Sequence, residues 1–84
     1  MRVELSRIGS YVLKKPIALT ARFDGSGGLW CIENEALALS GYGRTLEEAI
    51  SNLEKNFELL ITSFRTSDEK SEEVKKRLLN YVDF

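Results

Sequence analysis

Few side chains in this 84-residue chain are suited to catalysis or to holding a metal ion. The chain has one cysteine, Cys31, and no histidine, so a nucleophilic thiol would lack the base that usually activates it. The acidic residues do not follow the spacing of a calcium-binding loop, and a single cysteine does not make a zinc site. We therefore expect no catalytic residue, no bound metal and no cofactor.

The segment 24–28, Asp-Gly-Ser-Gly-Gly, is the stretch with the most resemblance to a phosphate-binding loop. Such loops usually lead into a helix and include a lysine, whereas a strand-like apolar run follows here. Glycines adopt positive φ without steric strain, as tight turns require. The segment is therefore predicted to be a hairpin turn.

The sequence contains residue types that are better suited to binding another protein than to catalysis. Arginine and aromatic side chains dominate the binding energy of protein interfaces. Two positions are open for Trp30 in the strand predicted over residues 29–33. Its side chain either packs in the core against the helix predicted below, or lies beside Arg22 on the face of the sheet that this helix leaves uncovered. The predicted partner-binding residues are Arg22, Trp30, Tyr42 and Arg44.

The charge distribution bears on the class of partner. Residues 1–45 carry six Lys/Arg and four Asp/Glu, whereas residues 46–84 carry six and nine. Neither half has the basic excess of a nucleic-acid-binding domain, so stacking of RNA bases on Trp30 and Tyr42 ranks last among the hypotheses. An acidic second half could instead complement a basic protein.

Cysteine content and hydropathy favour a reduced, aqueous environment. A single cysteine excludes an intramolecular disulfide, and Cys31 in the apolar run 29–32 is interpreted as a small buried hydrophobic residue. No segment approaches the roughly 20 apolar residues that cross a bilayer, and residues 1–6 lack the apolar core of a signal peptide. We expect a cytoplasmic protein that does not bind membranes.

Period-two alternation predicts antiparallel strands in the first half of the chain. Ile17–Phe23 is the clearest strand, and Leu29–Glu33 is its hairpin partner. A further strand is predicted over Ala36–Tyr42. A short strand is predicted over Val3–Ile8, followed by a turn at residues 9–10 and by residues 11–13, which continue a hairpin. Pro16 cannot donate to a sheet and is expected at a strand start or a sheet edge.

Period-3.6 patterns predict two helices. The long helix, Leu46–Phe64, follows Thr45 as N-cap, with Glu48 completing a capping box. Its buried stripe is predicted to be Leu46, Ala49, Ile50, Leu53, Phe57, Leu60, Ile61 and Phe64. A shorter helix over Glu69–Tyr81 begins after Ser67 or Asp68 as N-cap.

Together these elements predict one α+β domain over residues 1–84, with a core at about 17–64 and a C-terminal helix at about 68–82. A three- or four-stranded antiparallel β-meander packs on one long α-helix, and a short C-terminal helix follows. One helix leaves the second face of the sheet to a partner, a second copy or the C-terminal helix. Because pairing adds burial that a small monomer lacks, a homo-oligomer, dimer or tetramer, is expected.

Segments 29–35 (Leu-Trp-Cys-Ile-Glu-Asn-Glu) and 41–53 (Gly-Tyr-Gly-Arg-Thr-Leu-Glu-Glu-Ala-Ile-Ser-Asn-Leu) resemble the HicB-like antitoxin family. Members typically show a glycine-rich hairpin, an aromatic residue in the return strand, and a glycine before Thr or Ser, Leu and an acidic helix start. Their proline-flanked turn is replaced here by residues 34–38, of which only Glu35 matches. The resemblance spans Ile17–Phe64.

The resemblance implies a partial ribonuclease-H-like fold without catalytic carboxylates. It also implies neutralisation of a small basic ribonuclease toxin by direct contact, commonly with self-association. Many members carry a C-terminal DNA-binding segment, but residues 66–84 hold one predicted helix and more acids than bases, so DNA binding is not carried over. The alternative is a stand-alone, self-associating structural or regulatory domain of the same fold without a toxin partner.

Overall fold

A computed structural model describes residues 1–65 and 72–82. Its four strands are β1 (Arg2–Ile8), β2 (Tyr11–Asp24), β3 (Leu29–Asn34) and β4 (Leu39–Gly43), and they form one antiparallel sheet in the order β1-β2-β3-β4. Helix α1 (Leu46–Arg65) packs on one face of this sheet, and the short helix α2 (Glu72–Leu78) lies near the C-terminus. The predicted α+β architecture is confirmed, with four strands in the sheet.

Helix α1 begins where the sequence predicts. The Thr45 hydroxyl oxygen accepts a hydrogen bond from the Glu48 backbone N–H at 3.0 Å, which satisfies one of the free donors of the first turn. The helix ends at Arg65, one residue beyond the predicted end. Its buried stripe packs into the core through Ala49, Leu53, Phe57, Ile61 and Phe64, with Leu46, Ile50 and Leu60 partly buried.

Two glycines let α1 lie directly against β4. A Cβ atom at Gly41 would lie 2.6 Å from the Leu53 backbone nitrogen, and one at Gly43 would lie 2.6 Å from the Ala49 nitrogen. Real Cβ atoms do not approach backbone this closely. The contact between the strand and the helix axis therefore depends on glycine at both positions.

The segment around α2 joins the same core on the α1 side of the sheet. Leu78 and Val82 are buried in the cluster that contains Leu13 and Phe64. The Lys14 N–H donates to the Tyr81 carbonyl at 2.6 Å, and Lys15 Nζ lies 4.8 Å from the centre of the Tyr81 ring. The described part of this segment thus leaves the opposite face of the sheet uncovered.

The start of the predicted strand Ala36–Tyr42 is wrong. Residues Glu35–Leu37 form a 3₁₀ turn, Ala38 has a φ of 56°, and β4 begins only at Leu39. The cause is Asn34, whose side-chain oxygen accepts from the Leu37 N–H at 3.2 Å while its amide donates to the Ala18 carbonyl at 2.9 Å. This capped turn brings Leu37 into the core.

Of the two positions predicted for Pro16, a strand start is wrong, and a local edge of the sheet is what the structure has. The segment 11–13 and the strand Ile17–Phe23 are one continuous strand, and Pro16 lies in its interior rather than at its start. Pro16 sits between two registers of β1, since Leu5 pairs with Ile17 and Arg7 with Val12. Because β3 pairs only with residues 20–24, the missing N–H of Pro16 disrupts no ladder on that side.

The predicted C-terminal helix is described in part. Its proposed N-caps, Ser67 and Asp68, and its first residues lie outside the described residues. Helix α2 ends at Leu78, three residues before the predicted end, and Leu79–Tyr81 form turns. No helix in the described part of the chain is long and apolar enough to span a membrane.

Candidate partner-binding face

The face of the sheet opposite α1 is called the open face below. The antiparallel register places Arg22 opposite Cys31, and Cys31 opposite Tyr42. These three residues form one row across β2, β3 and β4, which we call the central row. A neighbouring row on the same face consists of Thr20, Glu33 and Ser40.

The central row encloses its cysteine. Cys31 is buried although no described helix covers it, because it lies between the side chains of Arg22 and Tyr42. Tyr42 is 56% exposed, and Arg22 is exposed as well. The row lines an open depression of about 370 Å³ together with Phe23, Asp24 and Leu29. The predicted burial of Cys31 is confirmed, but on the open face and not under the helix.

Two groups of β3 act on the charge of Arg22. The Cys31 sulfur, as hydrogen-bond acceptor, is the larger cause that raises the pKa of Arg22, and the Glu33 carboxylate is the second. The guanidinium nitrogen lies 3.0 Å from the Glu33 carboxylate oxygen. Arg22 is therefore an exposed cation whose ion pair with Glu33 favours one orientation.

Tyr42 is electrostatically linked to the same cysteine. The negative charge of an ionised Cys31 raises the pKa of Tyr42, and a hydrogen bond between the two side chains acts in the same direction. The phenol is thus protonated at neutral pH and able to donate a hydrogen bond. The central row presents one cation and one amphipathic aromatic side chain to solvent.

Trp30 does not belong to the central row. It pairs with Phe23 and Gly43, whose side of the sheet faces α1, and it packs partly buried against the core. The rings of Phe23 and Trp30 are 5.5 Å apart at a tilted angle. Of the two positions open for Trp30, the structure has the one on the helix side, so Trp30 is separated from Arg22 and Tyr42 by the sheet.

Arg44 lies between the open face and the helix. It is exposed in the connection from β4 to α1, directly before the N-cap Thr45. The structure therefore brings Arg22 and Tyr42 together among the four predicted partner-binding residues. Trp30 lies on the other face, and Arg44 lies beyond the end of β4.

Two asparagines at the β4 edge were not among the predicted site residues. Asn52 Nδ2 donates to the Tyr42 carbonyl at 2.6 Å, and Asn56 Nδ2 donates to the Ser40 carbonyl at 2.7 Å. Residues four apart lie on the same side of a helix, so both amides reach the same strand. The i, i+4 spacing of two asparagines beside the buried stripe was the available sequence signal. Glu33 was likewise missed, because its pairing with Arg22 depends on register.

The glycine-rich segment forms the hairpin turn that the sequence predicts. The Asp24 carboxylate accepts from the Ser26 hydroxyl at 2.8 Å and from the backbone N–H groups of Ser26 and Gly27 at 3.1 and 3.3 Å. The hydroxyl bond first, and then the two backbone bonds, lower the pKa of Asp24. The donor groups of Ser26 and Gly27 are thus used to close the turn through Asp24. Within residues 1–65 and 72–82, no group of three or more His, Cys, Asp or Glu could hold a metal ion.

No protein-family model matches this chain, and no curated protein or solved structure matches it significantly. The likeness to HicB-type antitoxins therefore rests on the sequence segments that carry it.

Proposed function

We propose that this chain is a non-catalytic, cytoplasmic binding module of the HicB antitoxin type, which neutralises a small basic ribonuclease by direct contact. The observation that carries the proposal is the central row, in which Arg22 and Tyr42 flank a buried Cys31 on a sheet face that no described helix covers. A sheet face that no element covers is either solvated or buried by a partner. Arginine and tyrosine side chains, which dominate the binding energy of interfaces, distinguish a binding face from a solvated one.

The central row has the properties of an interface anchor. Its arginine pairs with Glu33 at 3.0 Å, which reduces the conformational entropy that is lost when a partner binds. Its tyrosine offers a large apolar ring and a hydroxyl donor to the same partner. Arg44 at the end of β4 is a peripheral charge in this proposal, and Trp30 supports the sheet from the other side.

Exposed acidic residues support a basic partner. Glu47, Glu48 and Glu58 are exposed on α1, and Glu72 and Glu73 are exposed on α2. A net excess of one charge sign, here nine acids against six bases in residues 46–84, attracts proteins of the opposite sign and accelerates their encounter. The exposed bases Lys55, Lys76 and Arg77 share these helices, so the charge there is mixed with an acidic excess. This excess lies across the sheet from the central row. It would steer a basic partner at long range, and the central row would provide the specific contact.

The segments that resemble the HicB-like family coincide with this site. Residues 29–35 comprise β3, which supplies Cys31 and Glu33, and the first residue of the 3₁₀ turn. Residues 41–53 comprise the end of β4, the connection to α1 and the start of α1. The resemblance thus concerns the elements that build the central row and the cap at Thr45.

Light scattering coupled to size-exclusion chromatography tests this function. The purified chain is mixed with the product of an adjacent small basic gene, and RNA cleavage by that product is measured with and without the chain. We expect a stoichiometric complex in which cleavage is lost. Full cleavage in the presence of excess chain would overturn the antitoxin proposal.

The second candidate is a self-associating domain of the same fold without a toxin partner. Two observations on residues 1–65 and 72–82 favour it: no element there covers the open face, and no strand there pairs with the outer side of β1. It predicts a stable homo-oligomer that is indifferent to any neighbouring gene product, and the same chromatography distinguishes the two candidates.

A further inference from the structure

The two edges of the sheet differ in their capacity to accept another strand. At the β4 edge, the amides of Asn52 and Asn56 occupy the carbonyls of Tyr42 and Ser40. An incoming strand would compete with both side chains for these acceptors. At the other edge, no strand in the described ranges pairs with the outer side of β1. A new strand can therefore add at β1 with less competition.

The direction of the free backbone groups of β1 follows from its pairing. Met1 and Ala21 exchange two hydrogen bonds, since Ala21 N–H donates to the Met1 carbonyl at 2.7 Å and the Met1 amino group donates to the Ala21 carbonyl at 3.0 Å. In an antiparallel ladder, hydrogen-bonded and non-hydrogen-bonded pairs alternate. The N–H and C=O groups of Arg2 and Glu4 therefore point away from β2.

We propose that β1 of one copy pairs antiparallel with β1 of a second copy about a two-fold axis at Val3. In this register Arg2 lies opposite Glu4 of the second copy, and Glu4 lies opposite its Arg2. Both pairs bring outward-directed backbone groups together, as a hydrogen-bonded pair requires. The two sheets become one sheet of eight strands with an isologous interface.

Charge selects this register over its neighbour. A two-fold axis at Glu4 would also join outward-directed groups, but it would place Glu4 directly opposite Glu4 of the second copy. Like charges at directly opposed positions destabilise a strand pair, whereas opposite charges stabilise it. The axis at Val3 creates two opposite-charge pairs and no like-charge pair.

The remaining contacts are compatible with the paired edge. Val3 faces the α1 side and is partly buried, so in the dimer it meets Val3 of the second copy in a close, non-hydrogen-bonded pair. The ion pair between Arg2 and Glu4 within one chain is highly exposed at both side chains, so exchanging it for an intermolecular pair costs little. Charged edge residues often prevent strand pairing, but here their signs are complementary.

The dimer would have a functional consequence. Arg2 and Glu4 lie on the same side of the sheet as Thr20 and Arg22, so the open faces of the two copies form one continuous surface. Two central rows would then face the same direction. The dimer itself does not depend on a toxin partner or on the proposed antitoxin function.

Sedimentation equilibrium of the full chain alone tests the dimer. We expect wild type to dimerise, and Arg2→Glu or Glu4→Arg to raise the dissociation constant about tenfold or more, because two attractive pairs become repulsive. The double variant Arg2→Glu/Glu4→Arg restores the pairs with exchanged signs and should restore dimerisation. Arg7→Glu, beyond the register shift of β1, is the matched control and should change little.

Circular dichroism verifies that every variant is folded. A wild-type chain that remains monomeric up to about 1 mM would overturn the proposal. So would a dimer whose dissociation constant is unaffected by both single exchanges, or a double variant that stays monomeric. Because no partner is added, the result is independent of whether the chain inhibits a ribonuclease.

Discussion

Asn52 on helix α1 donates a hydrogen bond to the backbone carbonyl of Tyr42, with 2.6 Å between nitrogen and oxygen. The side chain of Tyr42 points to the open face, while its carbonyl is held from the helix. One residue of β4 therefore connects the candidate binding face to the packing of α1. The equivalent hydrogen bond from Asn56 to the Ser40 carbonyl connects α1 to β4 two residues before Tyr42.

These two bonds should contribute measurably to stability. The double variant Asn52→Ala/Asn56→Ala is expected to lower the free energy of unfolding by about 2 kcal/mol, since each intramolecular hydrogen bond contributes about 1 kcal/mol. Urea denaturation measures the change, and Ser51→Ala, at an exposed position of the same helix, is the control. A double variant as stable as the control would contradict the role assigned to the asparagines.

The close contact between β4 and α1 gives a second prediction. Gly41→Ala should destabilise the fold by about 3 kcal/mol or more, because its Cβ would meet the backbone of Ala49 and Leu53 and neither can rotate away. Gly25→Ala in the hairpin turn is the control, since its Cβ would meet only a Phe23 ring carbon at 4.0 Å. Thermal unfolding of both variants should separate them clearly. Equal melting temperatures would show that α1 can move away from the strand.

The central row predicts a coupled titration. In Cys31→Ala, the pKa of Tyr42 should fall towards its ordinary value of 10.0, because the charge and the hydrogen bond of the cysteine are both lost. Ultraviolet absorbance of tyrosinate measures the titration, and subtraction of a Tyr42→Phe titration isolates the signal of Tyr42. If the midpoint is the same with and without the thiol, Cys31 and Tyr42 are not in contact in solution.

The hairpin turn predicts a pH effect with a definite sign. The Asp24 pKa is lowered below its ordinary value of 3.8, so the folded state favours the ionised carboxylate. Its contribution to stability is present above pH 3.8 and is lost as the pH falls through the lower folded-state pKa. Ser26→Ala removes the first cause and should move the Asp24 pKa upwards in a carboxyl NMR titration. An unchanged midpoint would assign the shift to the backbone donors alone.

The elements with strong local signals were predictable from sequence. Helix α1 combines an apolar period of 3.6 with Thr45 as cap, and the hairpin combines two alternating strands with a glycine-rich turn. The 3₁₀ turn at Glu35–Leu37 was missed, because Leu37 and Leu39 keep the alternation of a strand while Asn34 caps a turn. The Asn34 side chain can cap a turn or continue a strand, and the alternation of apolar residues does not show which of the two it does.

The candidate site was less accessible to prediction for a geometric reason. Arg22, Cys31 and Tyr42 are distant in sequence and become neighbours only through the register of three strands. A shift of one residue would have sent all these side chains to the other face. The position of Trp30 depended on the same register, which is why residue type alone could not separate it from Arg22.

The affinity of the central row for a basic ribonuclease partner tests the account most directly. Isothermal titration calorimetry should show that Arg22→Ala and Tyr42→Ala each weaken the complex about 10- to 30-fold, as expected for anchors at an interface. Ser6→Ala, exposed on β1, should bind like wild type. Wild-type affinity in both central-row variants, with the fold intact by circular dichroism, would contradict the assignment of the open face as the partner-binding surface.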